Sequence, residues 1–443
     1  MEYLSSNKIV IIDLATLEVA EEEINEDLVM SRIGGVGITT HLYERFVDED
    51  PIVFGTGLLT GTLVPGSSLG VITAKSELTG RVCHAPFCLH AGMEIKYAGF
   101  DFVAIKGIAE KPVYLWLHDG IADIKDASDY WGKTPWEIVD TKTGLRNLLG
   151  EDLIQFLSIG KAGEEGLDFA QILINCWASG DRWGFGKLMG RKKLKTIAMR
   201  GMGLFEIANP DKFVSNCIQL LSDIKSGTAL KKKGCTEFPA AIGEEDISQW
   251  ISPLIHRHSS DFNCPYPINT FVKYNEDPKI LEETDVEEPG FLITDIYGLL
   301  GMKKLGLSAE DSCRMLEACT KYGVDAMAAA ELLQKTGKKK LEDLKEVIPN
   351  LKGPTERRGN GVFSPWSPPK PLFADFGLPT DGSKDAEWWE RRQAIAYVFG
   401  IHPIFALMAP ELTEQKLIDL VNIGTDLELD LEILDNLVAD ICK

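Results

Sequence analysis

Apolar residues fall into short runs over the first 205 residues and recur with helical spacing beyond residue 209. The short runs are rich in β-branched and aromatic residues and end at glycine, proline or aspartate, which is typical of strands. Residues 8–13 and 17–24 are predicted to form a hairpin. Further strands are predicted at 52–54, 70–73, 102–106, 113–117 and 196–199.

A change of pattern begins at Asn209-Pro210-Asp211, where asparagine can cap a helix and proline suits its first turn. Helices are predicted at 213–222, 309–322, 326–336, 341–347, 385–399, 414–422 and 431–441. A proline- and glycine-rich stretch interrupts them and is predicted to be irregular. We therefore expect an α+β chain with a β-rich part at 1–208, a helical part at 209–352, an irregular linker at 353–384 and a helical segment at 385–443.

Composition limits the classes of function. The chain is 44% hydrophobic and 26% charged, as in ordinary globular proteins, and its net charge is −21. This charge disfavours nucleic acid as a partner, and the one basic run, Lys231–Lys233, is expected to be a solvated helix end. No apolar run is long enough to span a membrane, and residues 1–8 lack the pattern of a signal peptide, so we expect a cytoplasmic protein.

The nine cysteines are odd in number and widely spaced, and no two of them are three residues apart, so they do not predict a disulfide framework. Cys83, His84, Cys88 and His90 lie within eight residues and are all possible ligands of zinc or iron. If residues 84–90 are helical, His84 and Cys88 share a face. The alternative is packed core thiols beside hydrogen-bonded histidines.

Two glycine-rich turns could face a ligand. Gly34–Gly37 precedes a predicted helix at 38–46, but its spacing is not that of a dinucleotide fingerprint, and a tight turn is the simpler interpretation. Arg182-Trp183-Gly184-Phe185-Gly186 could bind a phosphate or a polar ring through the guanidinium and exposed backbone N–H groups. A surface turn with solvated bases is the alternative.

Six runs carry a family resemblance, and they occur in order between Ile33 and Gly201. They are IGGVG (33–37), FGTGLLTGTLVPGS (54–67), AKSELTG (74–80), MEIKYAGFDFVAIKGIAEKPVYLWLHDG (93–120), DASDYWGKTPWE (126–137) and DRWGFGKLMGRKKLKTIAMRG (181–201). This combination resembles the N-terminal domain of tungsten-containing aldehyde ferredoxin oxidoreductases. The resemblance implies a two-sheet, β-rich N-terminal domain followed by helical domains, with a bis-pterin tungsten or molybdenum cofactor between them.

The resemblance also assigns roles to particular residues. Arg182, Gly184 and Gly186 correspond to one pterin-clamping run of the family, and Gly323 and Asp325 correspond to the second. A carboxylate such as that of Asp325 can accept hydrogen bonds from ring N–H and amino groups. In the family, a glutamate lies about where this chain has Asp295, and it would shuttle a proton during aldehyde oxidation.

Several positions depart from the family pattern. The family's Ser-Asn-x-Gly-Gly loop is residues 85–89 here, where larger side chains would crowd a pterin. Trp183, Leu69 and Thr320 replace a glycine, an arginine and an aspartate. Of the cluster-binding cysteines only Cys264 remains, and His402 stands near the fourth. Because four thiolates hold such a cluster, we expect no 4Fe-4S cluster.

Two functions follow from the resemblance and its departures. One is a divergent subunit that has lost the cluster and much of the catalytic apparatus and serves a larger redox complex. The alternative is an active tungsto- or molybdopterin oxidoreductase that oxidises an aldehyde-type substrate and passes electrons to a partner subunit. Either function implies a homo- or hetero-oligomer with a redox partner protein. A metal site at Cys83–His90 is a third possibility.

Overall fold

The computed structural model describes residues 1–227, 234–241, 245–274, 290–350, 361–364 and 373–442. The basic run Lys231–Lys233 and much of the predicted linker lie outside these residues. Two six-stranded sheets form the N-terminal part and helices follow, so the α+β prediction is confirmed. No helix among the described residues is both long and apolar enough to cross a lipid bilayer.

The first sheet has the strand order β2-β1-β6-β3-β4-β5, in which β1 and β6 are parallel and the other neighbours are antiparallel. Its strands are β1 (Ile9–Asp13), β2 (Glu18–Glu22), β3 (Ile52–Thr56), β4 (Gly70–Lys75), β5 (Val82–Phe87) and β6 (Phe102–Lys106). The predicted hairpin of β1 and β2 is confirmed. β2 is an edge strand with three glutamates, which discourage pairing with another chain.

The second sheet has the order β11-β10-β9-β12-β7-β8, with β12 and β7 parallel. Its strands are β7 (Val113–His118), β8 (Ile121–Asp126), β9 (Gln155–Ile159), β10 (Ile172–Ile174), β11 (Trp177–Ala178) and β12 (Leu194–Arg200). Alternate residues of each sheet meet between the two sheets. On β1, for example, Val10 and Ile12 join this inner core, whereas Ile9 and Ile11 join the core shared with helices. Because both faces are covered, β1 is apolar at successive positions rather than alternating.

Helices surround the sheets and form most of the second half. They are α1 (Glu26–Arg32), α2 (Val36–Arg45), α3 (Ala91–Tyr97), α4 (Pro135–Val139), α5 (Leu145–Leu149), α6 (Lys161–Glu164), α7 (Phe185–Arg191), α8 (Pro210–Ser226), α9 (Gly234–Ala241), α10 (Ser248–Ile251), α11 (Ile296–Lys304), α12 (Ala309–Tyr322), α13 (Ala326–Thr336), α14 (Leu341–Val347), α15 (Asp385–Phe399), α16 (Pro403–Met408), α17 (Glu414–Thr425) and α18 (Leu431–Ile441). The bounds predicted for α12, α13, α14, α15 and α18 are confirmed.

A short third sheet lies within the part expected to be helical. It consists of β13 (Ile255–Ser259), β14 (Asn269–Val272) and β15 (Phe291–Ile293), all antiparallel. These strands have three to five residues, too few for a clear alternation of apolar and polar positions. The pattern therefore did not predict them.

The C-terminal helices dock on the N-terminal part. α15 and α18 pack against α2, α18 also contacts α1, and α17 packs against α8. Glycines permit this approach: a Cβ atom at Gly35 would lie 1.9 Å from the carbonyl oxygen of Tyr397, and one at Gly57 would lie 2.2 Å from the carbonyl carbon of Phe399. The start and the end of the described chain thus share one core.

The region Val82–Phe87 forms β5, the edge strand that pairs with β4, so the helix on which a shared face of His84 and Cys88 would depend does not form. On a strand, neighbouring side chains point to opposite faces. Cys83 therefore lies in the inner core, while His84 Nδ1 contacts Thr73 Oγ1 at 2.9 Å on the other face. Cys88 and His90 follow the strand, and His90 is exposed. The structure does not bring these four predicted metal ligands together.

Replacing Gly57 with alanine tests the docking of the C-terminal helices. The added Cβ meets backbone atoms, so Gly57→Ala should lower the free energy of unfolding by about 1–3 kcal/mol, measured by urea denaturation. At Gly361 a Cβ meets no atom within 4 Å, so Gly361→Ala is the matched control and should change stability by less than about 0.5 kcal/mol. Equal effects of the two substitutions would contradict this packing.

His84 should make the fold sensitive to acid. Burial lowers its pKa from 6.5 to about 3. Between these values the unfolded chain binds a proton that the folded chain excludes, so stability falls as pH falls through this range and is unaffected by His84 above it. From pH 6.5 to 4.5 the loss should be about 2–3 kcal/mol, at about 1.4 kcal/mol per pH unit. Denaturant titrations of His84→Asn should show a smaller fall over this range, whereas the exposed-site control His90→Asn should follow the unaltered protein.

Candidate functional site

Arg182 lies in the turn between β11 and α7, and its side chain is buried. Asp181 shapes this turn by accepting hydrogen bonds from the backbone N–H groups of Trp183 at 2.8 Å and Phe185 at 3.1 Å. The turn thereby holds Arg182 against the helices of the second half. A surface turn with a solvated guanidinium, the alternative that the sequence left open, is not what forms.

Two carboxylates meet the Arg182 guanidinium. Asp295 caps α11 by accepting from Gly298 N at 2.9 Å, and Asp325 caps α13 by accepting from Met327 N at 2.9 Å. Aspartate is favoured at such positions because it satisfies free N–H groups at the positive end of the helix. Both carboxylates are consequently fixed at helix starts and point towards one arginine.

The resulting ion triad is buried and closely hydrogen-bonded. Arg182 Nη1 donates to Asp295 Oδ2 at 3.0 Å and to Asp325 Oδ1, and Nη2 donates to Asp295 Oδ1. Burial alone lowers the pKa of the guanidinium, but attraction by the two carboxylates outweighs it and holds the pKa above its ordinary value. The two predicted cofactor residues, Arg182 and Asp325, therefore lie beside the predicted catalytic residue Asp295. Arg182 binds both carboxylates.

The backbone around the triad joins the same two parts of the chain. Ala170 and Val324 form an antiparallel bridge, and Gln171 N donates to the carbonyl oxygen of Gly323 at 2.8 Å. Gly323 has a φ of +83°, and a Cβ on it would lie 2.7 Å from Gly160 N. This glycine is required by the junction itself, whatever else it contacts.

The other two predicted cofactor glycines also lie against backbone. A Cβ at Gly184, where φ is +77°, would lie 2.2 Å from the carbonyl oxygen of Asp168. One at Gly186 would lie 2.6 Å from the carbonyl oxygen of Gln171. Both positions have a structural need for glycine that the sequence resemblance does not reveal.

A second buried group lies next to the triad. Donor atoms of Cys88, Asp261 and His402 are within 4.8 Å of one another. The sequence marks Cys88 and His402 for different reasons and does not mark Asp261. Nothing in the local sequence marks Asp261, since only folding brings it to the other two residues.

Hydrogen bonds already occupy much of this second group. Asp261 accepts from Asn269 Nδ2 at 2.6 Å and from Leu89 N at 2.8 Å. His402 Nδ1 accepts from Ile404 N at 3.2 Å, which caps α16. We therefore assign the ring proton to Nε2, which lies 3.5 Å from Asp261 Oδ2. A metal ion at Nε2 would have to displace that proton from a ring whose other nitrogen is engaged.

Burial shifts the pKa values of several side chains in this region. It lowers the pKa of His402, against an opposing effect of Asp261, and it raises the pKa of Cys88 well above the ordinary thiol value. Burial likewise raises the pKa of Cys264, whose Sγ donates to the carbonyl oxygen of Tyr266 at 3.2 Å. Protonated thiols are poor nucleophiles and poor metal ligands.

The space between the triad and the second group is small. The cavity measures about 40 Å³ and is lined by residues of both groups and by the loop after β5. In that loop Leu89 has a φ of +58°, a conformation that favours glycine. Pro86, Cys88 and Leu89 line one side of the cavity.

Comparison with known proteins identifies relatives of the N-terminal part of the chain. Residues 9–201 match the model of the aldehyde ferredoxin oxidoreductase N-terminal domain. The chain is 34% identical over 252 residues to a tungsten-containing aldehyde ferredoxin oxidoreductase of Pyrococcus abyssi, covering 54% of this chain and 41% of that protein. It is 28% identical over 272 residues to the "aliphatic sulfonate oxidoreductase, WOR-like subunit" of Pyrococcus furiosus, covering 56% and 43%. These alignments span less than half the length of the relatives.

A solved structure supports the fold over nearly the whole chain. The active site complex BamBC of benzoyl coenzyme A reductase, in complex with 1,5-dienoyl-CoA, superposes with a TM-score of 0.77 and 18% identity. The superposition covers 99% of this chain and 88% of that chain. Since identity is low, this likeness concerns the fold alone. The match of residues 9–201, supported by the 34% identity to the relative from Pyrococcus abyssi, shows that the N-terminal part of the chain is a domain of the aldehyde ferredoxin oxidoreductase family.

Proposed function

We propose that this chain is a non-catalytic subunit of its family, which keeps the fold without a pterin–metal centre and serves a larger redox complex. The observation that carries the proposal is the filled cleft between Arg182 and the loop after β5. Function depends on the site rather than on the scaffold, and here the cleft is too small for the cofactor.

The volume of the cleft argues against a bis-pterin cofactor. A cavity of about 40 Å³ has room for a few water molecules, since one needs about 10–15 Å³. Pockets for drug-sized ligands measure about 300–1,000 Å³, and two pterins with a metal are at least of that size. The residues present do not fit this group.

The polar groups that the resemblance assigns to the cofactor have partners within the chain. The Nη atoms of Arg182 donate to Asp295 and Asp325, and Asp325 also accepts from Met327 N. A pterin would have to break these contacts in a buried environment, where leaving a charge unpaired is costly. The ion triad thus takes the place that a ligand would need.

The remains of the cluster site support the same function. Only Cys264 of the family's cluster cysteines is present, and its thiol donates to Tyr266. His402 caps α16 and faces Asp261, and Asn269 donates to the same carboxylate. The Cys264 thiol is thus bound to backbone and Asp261 to its two neighbours, whereas a cluster requires free thiolates.

The names of similar proteins favour a role within an assembly. One relative is a "WOR-like subunit", and the similar fold comes from the complex of benzoyl coenzyme A reductase named above. A chain that retains such a fold without its metal chemistry can still supply a binding surface. In its own cell it should purify at fixed stoichiometry with a catalytic redox protein.

An active oxidoreductase is the second candidate, and one observation favours it. Arg182, Asp325 and Asp295 meet at the place where the resemblance expects pterin-binding and catalytic groups. In that case a tungsten or molybdenum pterin would separate the triad, and electrons from an aldehyde-type substrate would pass to a partner subunit. Metal analysis distinguishes the two candidates.

The chain should bind neither tungsten nor molybdenum when tungstate and molybdate are supplied in excess. We expect less than about 0.1 atom of either metal per chain, and no fluorescent pterin after oxidation, because the cleft has no room for the cofactor. The chain is produced without oxygen, with tungstate and molybdate, and metals are measured by mass spectrometry. The tungsten-containing relative from Pyrococcus abyssi, produced in the same host, is the positive control. Stoichiometric tungsten or molybdenum in this chain would refute the proposal.

The ion triad should act as a structural unit. Arg182→Met leaves two buried carboxylates facing each other and should destabilise the protein by about 3–5 kcal/mol in urea denaturation. Adding Asp295→Asn and Asp325→Asn removes the unpaired charges, keeps side chains able to cap, and should recover most of this loss. Arg191→Met is the control, because its contacts with Asp50 and Glu77 are exposed and are worth about 1 kcal/mol or less. A destabilisation no larger than that of Arg191→Met would contradict the proposed role.

A further inference from the structure

A larger cavity opens on the other side of α12, between the second half of the chain and the connections of the second sheet. It measures about 460 Å³, within the range of small-molecule pockets. Gly132, Thr134 and Lys161 line it from the sheet side, and residues of α12 and α14 line it from the helix side. Ligand sites are often found where two such parts meet.

Part of the helix side of this cavity is apolar. Ala318 and Tyr322 of α12 lie opposite Leu344 and Ile348, of which the last two are almost fully buried. Leu341, at the mouth, is 47% exposed. Such a surface can accept an aromatic ring or a short aliphatic chain and release water from both.

The mouth of the cavity is cationic, in a chain whose net charge is −21. Its lining contains four cationic side chains, Lys161, Arg314, Lys321 and Lys345. Among the residues that the structure describes, Glu317 is the only acidic one in the lining. Four cations and one carboxylate line the cavity, and Glu165 and Glu310, just outside it, reduce the local surplus of positive charge to one. Charges of one sign around a low-dielectric wall concentrate the opposite charge there.

Carboxylates neutralise some of these cations but not all. Glu317 lies 2.7 Å from Lys321 Nζ, while Glu165 and Glu310, outside the cavity, pair with Lys161 and Arg314. In the part of the chain that the structure describes, Lys345 has no ion-pair partner. Lys345 is therefore available to an incoming anion.

We propose that this cavity binds a small amphiphilic anion, with an aromatic or short aliphatic body against Tyr322 and Leu344 and an oxyanion head at Lys321 and Lys345. The carboxylate or sulfonate head would replace Glu317 as the partner of Lys321. This role does not depend on the absence of a pterin cofactor. It would make the chain a ligand-responsive subunit.

The test uses 8-anilino-1-naphthalenesulfonate, an aromatic body with one sulfonate, titrated into the full chain and followed by fluorescence. We expect one saturable site, from which benzoate and hexanoate displace the dye and the uncharged benzyl alcohol does so far less well. Equal displacement by benzyl alcohol would show an apolar crevice without an anion site and overturn the proposal.

Variants locate the site. Lys321→Gln with Lys345→Gln should weaken binding about tenfold, as expected for loss of charge-assisted hydrogen bonds, whereas Lys335→Gln, on the exposed surface of α13, should not. Ala318→Trp should fill the cavity and abolish binding. Near-ultraviolet circular dichroism and the unfolding temperature check that each variant is folded. Binding that is unchanged in the double lysine variant, relative to Lys335→Gln, would refute the site even if Ala318→Trp did not fold.

Discussion

A guanidinium removed from water needs its charge balanced nearby, and in this chain the balancing groups come from two other segments. Arg182 belongs to the N-terminal part, while Asp295 and Asp325 begin helices of the second part. Each helix start keeps its carboxylate in place through a backbone N–H group, so the ion triad has little freedom. The bridge between Ala170 and Val324 fixes the same junction through the backbone. Side-chain charge and main-chain pairing thus both stabilise the interface between the N-terminal part and the second part of the chain. The small cleft lies beside this interface.

On the proposed function, groups that meet a cofactor in the family need partners within this chain. Here Arg182 forms ion pairs with Asp295 and Asp325, and Trp183 Nε1 donates to the carbonyl oxygen of His84 at 2.9 Å. Leu89 adopts a backbone conformation that favours glycine. The side chains of Arg182 and Trp183 thus contact other groups of the chain itself.

Local sequence signals predicted those parts of the fold that depend on interactions between residues close in the sequence, such as helix caps. The ends of α12 follow from Ser308 as its cap and Gly323 with a positive φ, so its bounds could be predicted. β5 was missed because Cys83–His90 has no clear alternation and the strand is defined by pairing with β4. The meeting of Cys88, Asp261 and His402 could not be predicted, because these residues are far apart in the sequence and no local pattern links them. The family resemblance identified Arg182 and Asp325, but not that they would bind each other.

Helix α12 connects the closed cleft with the open cavity. Its buried face carries Cys319 and Thr320, and its other face presents Ala318 and Lys321 to the cavity. The helix ends at Gly323, next to the segment that positions Asp325 in the ion triad. Lys321 lies 2.7 Å from Glu317 and 5.1 Å from the ring of Trp136, whose Nε1 donates to Thr320. The contacts of Lys321 and Thr320 thus link the lining of the open cavity to the last turn of the helix that ends beside the ion triad.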